Sequence, residues 1–160
     1  MRWSEVKRPI VCLAPMDGVT NSAYRQIVRL LNREVFLFSE FTSVDGLVRN
    51  KFLRSRLDYN PREHPFFMQL FGNSPEKFAE ASKMVEDRGI WGVDINMGCP
   101  SKKIVHSQHG SALMKDTDTA CRIIESIRSA CKLEVSVKTR LGWTDHRNLI
   151  NFAKSLESAG

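Results

Sequence analysis

The segment "LEVSVKTR", Leu133–Arg140, alternates apolar and polar side chains. Successive side chains of a β-strand point to opposite faces, so Val135 and Val137 share one face while Lys138 and Arg140 share the other. Strands of an open parallel sheet are covered by helices on both faces and are therefore apolar on both. This segment indicates a sheet with one apolar face and one polar face.

Two earlier segments repeat the pattern. In "GVDIN", residues 92–96, the side chains of Asp94 and Asn96 lie opposite those of the valine and the isoleucine. In "PFFMQLFG", Pro65–Gly72, Gln69 lies opposite its two apolar neighbours. Three strands of the chain thus place polar side chains on one face, close to their carboxyl ends.

The rest of the chain alternates predicted strands with predicted helices. Apolar runs predict two more strands, at Ile10–Pro15 and Val35–Phe41. Apolar residues at helical spacing predict the helices, including one with a stripe of Tyr24, Ile27, Val28 and Leu31, a weaker one through Leu47, Leu53 and Leu57, and a last one on Leu149, Phe152, Ala153 and Leu156. The clearest helix begins with Ser74 as N-cap and Pro75 in the first turn, and stops at Gly89.

Five strand–helix units in this order predict an α/β fold with a parallel sheet. The alternatives are an open, doubly wound sheet and a (β/α)8 TIM barrel. A barrel has one helix-covered face and one interior, and polar residues at the carboxyl ends of the inner face line its active site. Four residues fit that arrangement together: Gln69, Asn96, Lys138 and Arg140. We therefore expect a TIM barrel, truncated here to about five β/α units.

Composition limits the possible functions. The 160 residues carry a net charge of +6, which permits a polyanionic partner such as nucleic acid. The segment at residues 49–56 holds four cations and no acid, although a solvated helix face would have the same composition. No apolar run is long enough for a membrane span, and the first ten residues lack a signal-peptide core. The cysteines show no metal-ligand spacing, so we expect a cytoplasmic protein without membrane or metal.

The Gly-Cys-Pro segment that follows the fourth strand is the most unusual local feature. Cys99 lies between Gly98, which permits close backbone approach, and Pro100, which stiffens the loop. Lys102 and Lys103 come directly after it in a long polar loop, where they suit contacts to RNA phosphates. The other three cysteines are expected to pack in the barrel or helix layer.

Five segments occur in the order and spacing of one known family. They are "APMDGVTNSAYR" at Ala14–Arg25, "QLFG" at Gln69–Gly72, "DINMGCPSKK" at Asp94–Lys103, "GSALMKD" at Gly110–Asp116 and "VKTRLGW" at Val137–Trp143. By these segments the chain resembles the tRNA-dihydrouridine synthases, flavin enzymes that reduce uridine in tRNA. The cysteine segment and its downstream Gly-Ser-Ala-Leu are the specific part of the match.

The resemblance implies a barrel that binds FMN at its mouth and is reduced by NADPH, with tRNA as the partner. The hydride goes to C6 of a uracil that has left its base stack. The implied flavin-binding residues are Pro15, Met16, Asp17, Gln69, Asn96 and Lys138. The implied substrate or RNA contacts are Asn96, Lys102, Lys103 and Arg140. Cys99 corresponds to the general acid that protonates C5.

Cysteine chemistry suits that last role. Hydride addition at C6 leaves an enolate-like charge on the uracil, which needs a proton at C5. An ordinary cysteine thiol has a pKa of roughly 8.5, so it is protonated at neutral pH and can donate. An inert small residue is the structural alternative for Cys99.

Length is where the chain departs from the family. A (β/α)8 barrel takes about 250 residues, and this sequence stops where a sixth strand is expected. We therefore expect residues 1–160 to be the N-terminal part of the flavin-binding catalytic barrel. The C-terminal barrel half, with its FMN phosphate loops, and the family's helical RNA-binding domain are expected to be absent. Two alternatives stay open: a flavin barrel oxidoreductase that acts on a small molecule, and an inactive remnant that at most binds RNA.

Overall fold

The computed structural model describes residues 3–160. The strands are β1 (Cys12–Leu13), β2 (Phe36–Phe38), β3 (Thr42–Ser43), β4 (Phe66–Phe71), β5 (Gly92–Met97) and β6 (Glu134–Thr139). The α-helices are α1 (Ser22–Leu31), α2 (Val44–Arg49), α3 (Pro75–Asp87), α4 (Lys102–His106), α5 (Thr117–Ala130) and α6 (Leu149–Ala159). Short 3-10 helices lie at Trp3–Glu5, Lys51–Leu57, Pro61–Glu63 and Gly110–Lys115.

All strands pair in parallel in one sheet, in the order β1-β2-β4-β5-β6, with β3 on the same side of β4 as an extension of β2. Helices connect the strands, so the chain forms five β/α units of a half-barrel. The predicted truncated (β/α)8 barrel is confirmed. In the described part of the chain, β1 pairs only with β2 and β6 only with β5, which leaves both strands with a free edge.

The second predicted strand is broken in two, which the sequence did not indicate. β2 pairs with the first half of β4, and β3 pairs with its second half. Between them, the Ser39 hydroxyl accepts a hydrogen bond from the backbone N–H of Gln69 at 2.9 Å. That N–H is therefore bonded by a side chain at the position where the ladder is interrupted. The weaker predicted helix is likewise divided, into α2 and a 3-10 helix.

The main core lies between the sheet and its helices. Leu37, Met68 and Ile95 on the strands are fully buried against the apolar stripes of α3 and α5. The predicted start of α3 is confirmed, because the Ser74 hydroxyl accepts from the Lys77 backbone N–H and a proline occupies the first turn. This layer holds the strands at the spacing that the polar face requires.

Aromatic rings fill the inner face near the beginnings of the strands. Phe36, Phe38 and Phe67 form a second buried cluster. Trp3 covers them from the N-terminal segment and stacks on Phe67 with ring centroids 4.9 Å apart, while Trp91 meets the same ring edge-on. The inner face is thus apolar at the strand starts and polar at the strand ends, which confines a ligand to the carboxyl-end mouth.

The apolar stripe predicted for α1 is not the face that this helix buries. Ile27 and Leu31 are 56% and 83% exposed, whereas Arg25 and Arg29 are buried. The arginines face the sheet side because they find buried partners there, including the carboxylate of Glu63 and main-chain carbonyls. Cys12 is also exposed rather than packed, since it lies on a strand with a free edge. No helix in residues 3–160 has the length and apolarity that crossing a membrane requires.

Candidate functional site

A cavity of about 280 Å³ lies at the carboxyl ends of the strands. It brings together seven of the ten residues that the sequence analysis named. They are Pro15, Asp17, Gln69, Asn96, Cys99, Lys138 and Arg140, joined in the lining by Phe41, Gly98 and Pro100. The residues come from the loop after β1, from three strands and from the loop after β5. The polar inner faces therefore converge at one mouth, as their alternation along the strands predicted.

The other three named residues do not line this cavity. Met16 is partly exposed, and its backbone N–H and C=O both bond to the Thr20 hydroxyl. Lys102 and Lys103 are exposed and begin α4, a short helix where the sequence predicted a polar loop. Their charges lie just outside the mouth, beyond the half-buried Cys99.

A row of polar side chains crosses three neighbouring strands. The sheet register aligns Gln69, Asp94 and Ser136. Asp94 accepts hydrogen bonds from Gln69 Nε2 at 2.6 Å and from Ser136 Oγ at 2.7 Å. Asn96 lies one inward position further along and donates from Nδ2 to Gln69 Oε1 at 3.1 Å. The two amides that border the cavity are therefore joined to each other and to a carboxylate beneath them.

Asp94 is the one member of this network that the sequence analysis did not name as a site residue. It is 2% exposed, and burial raises its pKa to about 6. The hydrogen bonds from Gln69 and Ser136 and the charge of Lys138 act in the opposite direction and limit the rise. A buried acid that must be paired was visible in the sequence as an aspartate on an otherwise apolar strand. Its partners were not, because they lie 25 and 42 positions away.

The loop that carries Cys99 is fixed by its backbone. Asn96 Oδ1 accepts from the N–H of Gly98 at 3.1 Å and from that of Cys99 at 2.9 Å. The Cys99 carbonyl accepts from the N–H of Ser111 at 3.1 Å. Gly110 has φ +60°, and a Cβ there would lie 2.8 Å from the Cys99 carbonyl oxygen. The downstream Gly-Ser segment is thus built to pack directly on the cysteine loop.

The loop after β1 is anchored by a buried ion pair. Glu63 is fully buried and accepts from Arg25 Nε at 2.6 Å. The same guanidinium donates through Nη1 to the Thr20 carbonyl at 2.6 Å. Thr20 in turn holds the backbone of Met16. The pair therefore supports the wall of the cavity that Pro15 contributes.

Glu63→Gln is expected to destabilise the protein by about 3–5 kcal/mol, because it leaves the Arg25 charge buried without its counter-ion. Asp58→Asn is the matched control, since the exposed pair of Asp58 with Arg88 contributes at most about 1 kcal/mol. Urea unfolding of the two variants measures both values. Equal, small losses would show that the buried pair is not a significant anchor.

A second, larger groove of about 570 Å³ runs along the free edge of β6. It is lined by side chains from both faces of that strand and from α5 and α6, among them Val135, Val137 and Leu156. We place the functional site in the smaller cavity, because the predicted polar residues converge there and not in the groove. Within residues 3–160, no group of three or more acidic, cysteine or histidine side chains is arranged to hold a metal ion.

A parallel barrel arc whose polar side chains converge at the carboxyl-end mouth defines the chain as part of a (β/α)-barrel with a ligand site at the top. The family model described as dihydrouridine synthase (Dus) matches residues 12–160. The chain belongs to this family.

Curated relatives agree with the assignment. The chain is 36% identical over 151 residues to "Probable tRNA-dihydrouridine synthase 1" of Synechocystis, an alignment that covers 94% of the chain and 42% of the relative. It is 38% identical over 144 residues to "Probable tRNA-dihydrouridine synthase" of Staphylococcus aureus strain Mu50, covering 88% and 44%. A Staphylococcus epidermidis protein of the same name is also 38% identical, covering 89% and 44%. The chain thus spans less than half the length of these relatives.

Proposed function

We propose that residues 1–160 supply the first half of the active site of an FMN-dependent tRNA-dihydrouridine synthase. The observation that carries the proposal is the cavity in which Cys99 lies beside Gln69, Asn96 and Lys138. These residue types provide a proton donor, two amides and a cation around one space. The relatives' names, which specify tRNA, support the choice of substrate.

The residues of the mouth fit the ring end of a flavin. Gln69 and Asn96 are buried amides that border the cavity and retain hydrogen-bonding capacity beyond their bond to each other. Lys138 extends from the end of β6 into the same space, where its cation suits the electron-rich pyrimidine end of the ring. Pro15 and Asp17 close the side formed by the loop after β1. Met16 belongs to that loop as a backbone element.

FMN, once reduced by NADPH, would supply the hydride that adds to C6 of the uracil. Cys99 would donate its thiol proton to C5, with its loop held by the Asn96 carboxamide and the Gly-Ser segment. The half-buried position of Cys99 leaves the thiol reachable from the mouth. The aromatic cluster below closes the barrel interior, so the base would enter from the top only.

The charges at the rim suit an RNA substrate. Arg140 lines the cavity, and Lys102 and Lys103 are exposed beyond the cysteine loop. Cations at these places would contact phosphates around a base that has left its stack. Such contacts position the RNA and carry no sequence preference of their own.

The test uses a chimera in which residues 1–160 are followed by the segment that succeeds the matched part in the Synechocystis relative. We expect this chimera to retain FMN and, with NADPH, to form dihydrouridine in unmodified tRNA. A chimera that binds FMN and oxidises NADPH with a small-molecule acceptor but leaves tRNA unchanged would favour the alternative flavin oxidoreductase. A chimera that folds without binding flavin would favour an inactive remnant.

Lys138→Met in the chimera is expected to weaken FMN binding roughly 10- to 100-fold, the range for losing a hydrogen bond to a charged group. Gln69→Ala is expected to cost less, since a neutral hydrogen bond contributes about 0.5–1.5 kcal/mol net. Quenching of flavin fluorescence measures the affinity. Lys132→Met is the matched control, because Lys132 is also exposed but precedes the start of the same strand. Unchanged affinity and flavin reduction rate in Lys138→Met would assign this lysine to RNA contact or to structure.

A further inference from the structure

We propose that Asp94 is a positioning residue that acts through the Gln69 and Asn96 amides on the backbone of Cys99. The contacts form one continuous chain. Asp94 Oδ2 accepts from Gln69 Nε2 at 2.6 Å, and Gln69 Oε1 accepts from Asn96 Nδ2 at 3.1 Å. Asn96 Oδ1 accepts from the Cys99 N–H at 2.9 Å and from the Gly98 N–H at 3.1 Å. The role of Cys99 as proton donor rests on the proposed function; the chain of contacts does not.

The direction of this chain is fixed from both ends. An ionised aspartate can only accept, so Gln69 must turn its NH2 group toward Asp94. Backbone N–H groups can only donate, so Asn96 must turn its oxygen toward the cysteine loop. These two requirements agree on the remaining bond, from Asn96 Nδ2 to Gln69 Oε1. Turning over either amide would place two acceptors or two donors in contact at a buried site.

Burial makes the chain of amides sensitive to its carboxylate. Gln69 and Asn96 are 1% and 9% exposed, so water is not available to replace a lost partner. Protonation gives Asp94 a donor, and the carboxyl then no longer dictates which face Gln69 presents. A change of charge at Asp94 should therefore be felt at the Cys99 N–H by way of two side-chain amides.

The test follows the backbone N–H signals of the cysteines by NMR in the flavin-free chimera, labelled with [15N]cysteine, from pH 4 to pH 9. We expect the Cys99 signal to shift with a midpoint near the pKa of Asp94, about 6. Cys12 reports Asp94 directly, because the Asp94 charge acts on that thiol and, with burial, raises its pKa. Asp94→Asn should abolish the transition at both cysteines. Cys121 and Cys131 on the helix side should not show it.

Gln69→Met gives the decisive comparison, since it cuts the chain and leaves Asp94 in place. We expect Cys12 to keep the transition and Cys99 to lose it. If Cys99 keeps it in Gln69→Met, the influence of Asp94 passes through space and the positioning role is wrong. Absence of the transition at Cys99 in the unaltered chimera also overturns the proposal. This comparison stands even if Asp94→Asn fails to fold.

Other titrating groups are separated by variants. The charged or titratable side chains that act on Asp94 from neighbouring strands are Lys138 on β6 and Cys12 on β1. His109 lies next to Gly110 in the segment packed on the cysteine loop, and burial lowers its pKa from the ordinary value. His109→Gln removes that contribution, and the Cys99 transition is scored in this background as well. Neither tRNA nor flavin is present, so a chimera that makes no dihydrouridine could still show the relay, and the two failures are distinct.

Discussion

Cys99→Ala in the chimera is expected to lower dihydrouridine formation by about two to four orders of magnitude, the usual contribution of a positioned general acid. FMN binding and reduction by NADPH are expected to be retained, because the Cys99 side chain only borders the cavity. The Asn96 and Ser111 contacts to the loop use backbone atoms of residue 99, so alanine preserves them. The loss should therefore be confined to the proton transfer.

Dihydrouridine in tRNA, quantified after a fixed reaction time, measures the effect. Cys121→Ala is the matched control, since Cys121 lies on α5, on the helix side of the sheet, and its loss should leave the rate unchanged. Near-normal product formation by Cys99→Ala would refute the proton-donor role and leave Cys99 as a small structural residue.

The second large effect concerns the 160-residue polypeptide expressed by itself. We expect it to aggregate or to be partly molten, and to purify without flavin colour. β1 and β6 each leave one edge unpaired, and such edges are templates for association with other chains. Two copies cannot repair this by edge pairing, because five barrel strands from each exceed the eight of one barrel.

Exposed apolar surface adds to this tendency. Leu31 of α1 is 83% exposed, and the groove along β6 is lined by Val135, Val137 and Leu156. Contiguous apolar patches of this kind promote association. Size-exclusion chromatography and absorbance at the flavin band test the expectation, with the chimera as the control. A monodisperse yellow monomer that reduces uridine in tRNA would contradict it.

The sequence predicted the site through one regularity, the alternation of side chains along three strands. Gln69, Asn96 and Lys138 were assigned to one inner face, and the structure places them around one cavity. This succeeds because the side-chain period of a strand is independent of its neighbours. The family resemblance then indicated Cys99, which local periodicity alone could not single out.

Features that depend on contacts between distant segments could not be predicted. The break between β2 and β3 coincides with a hydrogen bond between Ser39 and the Gln69 backbone, 30 positions apart. The buried face of α1 depends on Glu63, which makes partners for arginines that would otherwise be placed in solvent. The Asp94 relay needs the lateral register of three strands, and a single sequence does not encode that register visibly.

The central claim is that this half-barrel presents a flavin and Cys99 to a uracil in tRNA. The most direct test is a single-turnover experiment in which the FMN-loaded chimera is reduced with NADPH and then mixed anaerobically with unmodified tRNA. We expect the flavin band to return with formation of one dihydrouridine per flavin reoxidised, and both to slow by about two to four orders of magnitude in Cys99→Ala. A chimera whose reduced flavin is stable in the presence of tRNA, with no dihydrouridine formed, would contradict the account.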